Sequence, residues 1–282
     1  MILVADSGST KTFWALLQDG IQEQVIQTQG MNPYFTSPEM MREIIQDELI
    51  LHLTGDEVTH IYFYGAGCST ETNNGLITHQ LRRVFQHAQI EVFHDILGAA
   101  RALFGKEQGI ACILGTGCNS CFYDGFGVFS NVPSLGYLFG DEGAGSYLGK
   151  KLLGQYLKEE LPEQLKEAFD NRYPYSLEDI LNAIYNKPFP NRFLASFSLF
   201  LKDHIAHPYI HQLIFTSFVE FIDAHISRYE SFTSYPIGFI GSIAFYFQDI
   251  LLEACACKSL TVSKILQAPV EGLVEYHTVI YD

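Results

Sequence analysis

The sequence predicts an α/β protein built from two domains. Three observations predict this fold: the 282 residues are long for one compact core, strand-like segments alternate with helical ones, and one order of strands and turns occurs twice. Hydrophobic residues make up 48% and charged residues 17%, which argues for a folded chain with a sizeable core. We place the domains at residues 1–105 and 106–282 and expect a cleft between them.

The first segment has the pattern of a three-stranded antiparallel meander. Residues 2–5 and 13–17 are apolar, and residues 21–28 alternate between apolar and polar. The Asp19-Gly20 pair predicts a tight hairpin between the last two strands. The polar residues 6–11 form the turn between the first two.

The alternation of helices and strands then continues to the end of the first domain. Ser37 is a predicted N-cap that is followed by a first-turn Pro38, and this predicts an amphipathic helix to about Leu53. The later elements are predicted as a strand at 60–64, a helix at 72–86, a strand at 90–93 and a helix at 96–104.

The second domain repeats the opening order before it becomes helical. The repeat is predicted as a strand at 110–114, a turn at 115–117, a strand at 119–123 and a tight hairpin at Asp124-Gly125. Helical periodicity, interrupted by prolines, dominates from about 146 to 235. The final elements are predicted as a strand at 237–240, a helix to about 256, a strand at 259–262 and a short closing helix at 269–276, which could pack back on the first domain.

The first loop favours anion binding through backbone N–H groups. Residues 8–12 contain a Lys-Thr pair, but the glycine spacing of a Walker A loop is absent and Asp19-Gly20 follows too soon for a helix. A hairpin rich in Gly and hydroxyl residues remains. Asp6 ends a buried strand, so it either associates with Mg²⁺, through water, or bonds its own turn.

Gly115-Thr116-Gly117 supplies a second loop of the same kind, and Gly241-Ser242 a third glycine-rich strand end. One such loop is weak evidence for nucleotide binding. Two small-residue hairpins at the ends of matched strands could hold a polyphosphate between them, which makes the pair a stronger indication.

These motifs resemble those of the N-acetylglucosamine kinase and BadF/BadG/BcrA/BcrD ATPase family, within the sugar kinase, heat-shock ATPase and actin superfamily. The resemblance covers essentially the whole chain. It rests on residues 6–12, 30–33, 94–100, 115–117, 140–143 and 241–242. It implies two ribonuclease-H-like domains, with helical additions in the second, that close over ATP and a sugar.

The resemblance also implies roles for individual residues. Asp95 would be the general base, and capping of the helix that follows is the compatible structural alternative. Asn32 and Asp141 would hold sugar hydroxyls, and Glu142, Gly136 and Tyr137 would do so less firmly. Their alternatives are a plain loop asparagine and an acidic helix N-terminus. The residues implied to bind ATP are Ser9, Thr10, Lys11, Gly115, Thr116, Gly117, Gly241 and Ser242, with the role of Lys11 left open.

Composition excludes several partners. The formal charge is −15, and no basic run with interleaved aromatic residues occurs, so we expect neither nucleic acid nor a membrane as a partner. We expect a cytoplasmic protein, because no apolar run approaches a membrane span and no charged leader precedes the first strand. A homodimer is compatible with the sequence but is not determined by it.

The six cysteines are expected to be buried and reduced. Cys118 and Cys121 lie three apart on a strand, which places them on opposite faces and argues against a shared metal ion. The histidines are scattered, and His94 is expected to have a local structural role.

The sequence predicts an ATP-dependent kinase for an amino sugar, with N-acetylglucosamine phosphorylated at its 6-hydroxyl as the first choice. N-acetylmuramic acid, glucosamine and glucose stay open as acceptors. Two alternatives also stay open: an ATPase that activates a dehydratase or reductase through an iron–sulfur cluster, and a nucleotide-binding sugar sensor without turnover.

Overall fold

The structure is a computed structural model. It describes residues 1–18, 20–53 and 57–278. The chain divides into two compact units. The first comprises Met1–Glu107, Tyr123–Val128 and Ala268–Asp282, and the second comprises Gln108–Phe122 and Phe129–Gln267.

The first unit contains a mixed five-stranded sheet in the order β3-β2-β1-β4-β5. The strands are β1 (Ile2–Ser7), β2 (Lys11–Gln18), β3 (Ile21–Gln29), β4 (His60–Gly65) and β5 (Gln89–His94). The first three form the predicted antiparallel meander, and β4 and β5 extend it in parallel from β1. Gly20 lies at a φ of 76° in the β2–β3 turn, whereas Asp19 of the predicted hairpin lies outside the described residues.

A buried apolar face explains why these segments pair as they do. Trp14, Ile61 and Phe63 are fully buried, and the Trp14 and Phe63 rings lie 5.7 Å apart. The Trp14 indole N–H donates to Thr28 Oγ1, so its one polar atom is satisfied inside the core.

Three of the helices of the first unit lie within Met1–Glu107: α1 (Pro38–Glu43), α2 (Glu71–Arg82) and α3 (Asp95–Phe104). The helix predicted to run to about Leu53 is an α-helix only to Glu43, and continues as a π-helix over Ile44–Leu49 and a 3₁₀ turn over Ile50–His52. Ser37 caps it as predicted. The second helix ends at Arg82 rather than at Gln86, and Arg82 then donates to the Ala88 carbonyl.

The second unit repeats the sheet in the order β8-β7-β6-β9-β10. Its strands are β6 (Gly109–Leu114), β7 (Cys118–Tyr123), β8 (Val128–Val132), β9 (Ile237–Ile240) and β10 (Val262–Leu266). Read from β8, this is the order of the first sheet with each strand number raised by five. The predicted duplication is therefore present in the topology, and the α/β fold class is confirmed.

The second unit also carries the helical additions that the sequence predicts. They are α4 (Gly136–Phe139), α5 (Gly145–Leu157), α6 (Glu163–Arg172), α7 (Leu177–Tyr185), α8 (Pro190–Ser196), α9 (Ser198–Asp203), α10 (Pro208–Ala224), α11 (Ser242–Tyr246) and α12 (Gln248–Cys257). Buried phenylalanines dominate their shared core, among them Phe169, Phe197, Phe200 and Phe218.

One turn prediction, in the Tyr123–Val128 segment of the first unit, and one strand boundary in the second unit are wrong. The Asp124-Gly125 turn is a longer loop, because Asp124 Oδ1 accepts the N–H groups of both Phe126 and Gly127. The last strand begins at Val262 rather than at Ser259. Ser259 has a φ of 57°, and the Leu260 N–H bonds the Cys255 carbonyl, so these residues complete the end of α12.

The last helix, α13 (Val270–Thr278), packs against α3 and β1 of the first unit. His277 is buried, and its Nε2 lies 2.9 Å from the Tyr64 hydroxyl, which accepts a hydrogen bond from Arg101. Burial lowers the pKa of His277 to about 3, so the ring is neutral at physiological pH.

None of the described helices combines the length and the apolar character needed to cross a membrane.

Candidate active site

The β1–β2 loop is held by its own hydroxyl groups. The Ser7 and Thr12 hydroxyls lie 2.8 Å apart across the base of the loop, and the Gly8 N–H donates to the Lys11 carbonyl. Ser9 is half-buried, whereas the side chains of Thr10 and Lys11 are exposed. The predicted phosphate loop thus has a fixed base and an accessible tip.

The segment after β3 packs directly on this loop. The Met31 N–H donates to Ser7 Oγ, and the Gly30 N–H donates to the Thr10 carbonyl. A Cβ atom on Gly30 would lie 2.3 Å from the Gly8 carbonyl oxygen, so only glycine allows this approach.

Asp6 lies near the end of β1 and Asp95 directly follows β5, and the charge of Asp95 acts on Asp6. Burial and, to a smaller extent, the charge of Asp95 together raise the pKa of Asp6 from its usual value of 3.8 to about 7. Burial likewise raises the pKa of Asp95, and the neighbouring His94 opposes this shift. Two buried carboxyl groups with raised pKa values, one of them raised partly by the charge of the other, are suited to a divalent cation and a proton acceptor.

Asp95 is the first residue of α3, as the sequence predicts. Its side chain is 22% exposed, and Oδ1 lies 3.1 Å from His94 Nε2 without a well-formed hydrogen bond. His94 occupies the N-cap position of α3, but its side chain caps no backbone N–H group. His94 therefore pairs with the neighbouring carboxylate, and no described contact gives it a role beyond this local one.

Asn32 is nearly buried, with 5% exposure, and both ends of its amide are used within the chain. Nδ2 donates to Ser9 Oγ at 2.7 Å, and Oδ1 accepts the Tyr34 N–H at 3.0 Å. The second bond is the loop-asparagine arrangement that the sequence left open. One amide hydrogen and one oxygen lone pair remain for a further partner.

The 115–117 loop of the second unit adjoins the N-terminus of α5. The carbonyls of Gly115 and Thr116 accept the N–H groups of Gly145 and Ser146, which are otherwise unpaired at a helix start. The Gly115 N–H closes the turn on the Gly117 carbonyl. The loop is therefore rigidly connected to α5, while the Thr116 side chain stays half-exposed.

Gly241 packs on the same loop. Its φ is 125°, and a Cβ atom there would lie 2.2 Å from the Leu114 carbonyl oxygen and 3.1 Å from the Gly115 nitrogen. Ser242 begins α11 and is exposed. The structure thus brings two predicted ATP-binding segments, 115–117 and 241–242, side by side in the second unit.

Asp141 is the buried acid of the 140–143 turn, with 4% exposure and a φ of 63°. Oδ1 accepts the Cys118 N–H, and Oδ2 accepts the Ser146 hydroxyl, each at 3.0 Å. Burial raises the pKa of Asp141, and the two hydrogen bonds oppose the shift. Asp141 is thus fixed to the strand and the helix that flank the 115–117 loop.

Glu142 faces a pair of residues that sequence reasoning did not select. Glu142 Oε2 lies 3.6 Å from His225 Nε2, and Cys118 Sγ lies 3.4 Å from the same nitrogen. Burial lowers the pKa of His225, although the Glu142 charge opposes this. His225 is 107 residues from Cys118 in sequence, so no motif could join them.

Gly136 and Tyr137 begin the short helix α4. Gly136 has a φ of 68°, and the Tyr137 carbonyl accepts Lys150 Nζ at 2.8 Å. Both residues are half-exposed. Of two grooves on the second unit, one of about 490 Å³ is lined by residues within 150–160 and 209–216, and one of about 340 Å³ by residues within 175–193. Neither contains a predicted site residue.

A search of the solved structures identifies the chain's relatives. It is 41% identical to a putative N-acetylglucosamine kinase from Porphyromonas gingivalis, with a TM-score of 0.95 and all of both chains covered. The chain belongs to the N-acetylglucosamine kinase family. A second putative N-acetylglucosamine kinase, from Chromobacterium violaceum, is 14% identical, with a TM-score of 0.79 and 98% of both chains covered.

A glucokinase of the ROK family from Streptomyces griseus, solved with glucose and AMPPNP, shares the fold of this N-acetylglucosamine kinase family member. It is 11% identical, with a TM-score of 0.57 and 98% of both chains covered. No model of a protein family matches the chain, and a search of the curated proteins gives no match.

Proposed function

We propose that this protein transfers the terminal phosphate of ATP to the hydroxyl of an amino sugar, with N-acetylglucosamine and its 6-hydroxyl as the preferred acceptor. The membership of the N-acetylglucosamine kinase family supports this proposal. The observation that carries it is Asp95, a partly exposed carboxylate at the end of a sheet strand, with one oxygen free of a well-formed hydrogen bond.

Asp95 acts as the general base in this proposal. Burial raises the pKa of its carboxyl group, which makes the ionised form a stronger proton acceptor than an ordinary surface aspartate. Its position at the start of α3 fixes the carboxylate relative to the β1 and β5 ends. Phosphoryl transfer depends mainly on positioning and charge neutralisation, so one well-placed base is sufficient on the protein's side.

Asp6 is the residue suited to hold Mg²⁺, through water. Its pKa near 7 and the nearby Asp95 charge support this assignment, because a cation would stabilise the ionised form. Oxygen donors are the ligands that Mg²⁺ prefers. When bound, Mg²⁺ neutralises charge on the ATP phosphates.

The remaining residues bind the two substrates. ATP contacts are assigned to Ser9, Thr10 and Lys11 of the first loop, to 115–117 of the second, and to Gly241 and Ser242. Asn32 uses its remaining amide hydrogen and lone pair for sugar hydroxyls. Asp141 binds the sugar through its remaining lone pairs, with Glu142, Gly136 and Tyr137 around it.

The cysteines favour the kinase over a reductase activator. An activator of that kind needs thiolates that can reach an iron–sulfur cluster. Five of the six cysteines are buried, and only Cys257 is exposed. Burial raises the pKa of Cys68 and Cys255 to about 12, so these thiols are protonated and unreactive.

A coupled assay for ADP release tests the proposal. We expect turnover with N-acetylglucosamine to exceed that with N-acetylmuramic acid, glucosamine or glucose, and little ADP without sugar. Asp95→Asn should lower kcat by on the order of 10²–10⁴-fold, since it removes the base. The variant should bind ATP nearly as well as the wild type in a calorimetric titration.

Asp249→Asn is the matched control. It makes the same chemical change at an exposed position, in the first turn of α12. It should leave kcat unchanged. Wild-type kcat in Asp95→Asn would refute the assignment of the base. Rapid ADP release that is indifferent to every sugar would refute the kinase itself.

A further inference from the structure

We propose that Cys118, Glu142 and His225 form a binding site for a Zn²⁺ ion within the second unit, with water in the fourth coordination position. This cluster is separate from the carboxylates assigned to Mg²⁺, which belong to the first unit. Among the described residues, it is the group of potential metal-ligating side chains whose donor atoms converge.

Two of the three separations between donor atoms match those of a tetrahedral site. Cys118 Sγ, Glu142 Oε2 and His225 Nε2 all lie within 4.8 Å of one another, with Sγ to Nε2 at 3.4 Å and Oε2 to Nε2 at 3.6 Å. Zinc bonds of usual length at tetrahedral angles place sulfur and nitrogen about 3.6 Å apart, and nitrogen and oxygen about 3.3 Å apart. The observed separations are within a few tenths of an ångström of both.

Hydrogen bonding alone accounts poorly for the same contacts. A single ring nitrogen, Nε2 of His225, faces both a thiol and a carboxylate, and it carries at most one proton. Nε2 can therefore either donate to the Glu142 carboxylate or accept from the Cys118 thiol, but it cannot do both. The 3.6 Å separation from Glu142 is also too long for a hydrogen bond. One cation between the three atoms satisfies them all.

The surrounding contacts hold the ligands in place. Nδ1 of His225 lies 3.4 Å from Ser120 Oγ, which lies 2.6 Å from the Tyr229 hydroxyl. A partner on the second ring nitrogen is the usual support of a histidine that ligates a metal. The His225 side chain is only 5% exposed, and its ring stacks on Phe221 at 4.8 Å.

The donor set selects the metal. One sulfur, one nitrogen and one oxygen suit Zn²⁺, whereas Mg²⁺ prefers oxygen ligands only. Three protein ligands leave one position open, and the 24% exposure of Glu142 shows that water can reach this side of the cluster.

The proposed ion would join three distant segments. Cys118 begins β7, Glu142 lies in the 140–143 turn, and His225 follows the end of α10. The Cys118 N–H already donates to Asp141, so the ion would fix the turn that carries Asp141 from a second side. Glu142 Oε1 would stay available to a substrate.

Metal content and Co²⁺ substitution test the site directly. The purified wild-type protein, dialysed against buffer treated to remove metals, should retain about one zinc per chain by mass spectrometry. After removal of zinc with a chelator, added Co²⁺ should give the visible absorption of tetrahedral cobalt and a near-ultraviolet thiolate-to-cobalt band. Neither readout depends on kinase activity.

Three variants and one control complete the experiment. Cys118→Ser should abolish the thiolate band, and His225→Gln and Glu142→Gln should weaken Zn²⁺ binding by at least about 10-fold. Cys255→Ser is the control, because Cys255 is an equally buried thiol that is not part of the cluster. It should bind zinc as the wild type does.

A wild-type protein that binds neither Zn²⁺ nor Co²⁺ would overturn the proposal, as would a thiolate band that persists in Cys118→Ser. Should the variants fail to fold, X-ray absorption of the cobalt-loaded wild type decides. One sulfur and about three nitrogen or oxygen ligands support the site, and an all-oxygen shell refutes it.

One consequence rests on the proposed kinase function. If Asp141 binds the sugar, removal of zinc should raise the KM for the sugar more than the KM for ATP. A zinc-loaded protein without kinase activity would refute the function and leave the metal site intact.

Discussion

Asp6 determines the pH behaviour expected of the protein at the scale of single residues. Its pKa lies near 7 in the folded protein, against 3.8 ordinarily, because burial and the Asp95 charge disfavour its ionised form. Between pH 4 and 7 the folded state therefore binds more protons at this residue than the unfolded state does. The stability that Asp6 contributes is present below pH 4 and is lost as the pH rises through 7.

The corresponding prediction compares Asp6→Asn with the wild type. The wild-type free energy of unfolding should contain a component that falls by up to about 1.4 kcal/mol per pH unit across this window. Asp6→Asn should lack this component while losing kinase activity. Urea titrations from pH 4 to 8 measure it, and an unchanged pH dependence in the variant would contradict the assigned pKa.

Mg²⁺ gives the control for this residue. A bound cation should favour the ionised form of Asp6, so Mg²⁺ with ATP analogue should release protons at pH 6 and flatten the pH dependence of the wild type. Asp249→Asn, at an exposed position in α12, should behave as the wild type in both measurements.

The local sequence predicts the positions of Asp95 and Asp141 relative to the neighbouring strands and helices, but it does not predict which residues their side chains contact. Asp95 was predictable as the residue after a strand and at the start of a helix. The bonds from Asp141 to Cys118 and Ser146 join residues that are 23 and 5 positions away, and no local pattern encodes the longer one. The same is true of His225 and Cys118, which only the folded chain brings together.

At the scale of elements, helix α5 contains two glycines with opposite consequences. A Cβ atom on Gly149 would lie 1.9 Å from the Leu194 carbonyl oxygen, so α5 and α8 approach each other through this glycine. A Cβ atom on Gly154 would have nothing within 4 Å. The close helix contact therefore depends on one of the two positions only.

We predict that Gly149→Ala destabilises the protein by roughly 2–3 kcal/mol, because backbone must shift to admit the methyl group. Gly154→Ala should stabilise it by about 1 kcal/mol through helix propensity. Chemical denaturation of both variants measures the difference. Equal effects would show that the α5–α8 contact does not constrain Gly149.

Element types followed from periodicity more reliably than element ends did. All ten strands lie in or beside apolar runs. The sequence nevertheless predicts the start of the last strand three residues too early, because Ser259 to Val262 has strand-like composition. The chain instead uses Ser259 and Leu260 to finish α12. The π-helix over Ile44–Leu49 was not predictable, because such stretches are rare and occur inside segments that otherwise have the pattern of an α-helix.

At the scale of the whole molecule, the charge of −15 opposes the approach of ATP. We predict that kcat/KM for ATP rises a few-fold as salt is raised from low concentration to about 0.15 M, where the screening length is about 8 Å. The uncharged sugar is the internal control, and its kcat/KM should change little. A fall in kcat/KM for ATP over this range would indicate that a local positive field dominates instead.

The two sheets share one strand order, so comparison of the two units separates the elements common to both from those added in the second. Five strands recur in both, whereas helices α4 to α10 occur between β8 and β9 alone. The sequence predicted this division because turn residues recur at matching positions in the two halves, which is a signal independent of any single helix or strand.

The final helix gives the chain an uncommon order of assembly. Residues 1–107 belong to the first unit, but that unit also requires Tyr123–Val128 and α13, whose His277 meets Tyr64 across 213 positions. During synthesis, every residue of the second unit is made before α13, the last helix of the first unit. The first unit can therefore complete its structure only after the second unit has been synthesised, and until then Tyr64 lacks its contact with His277.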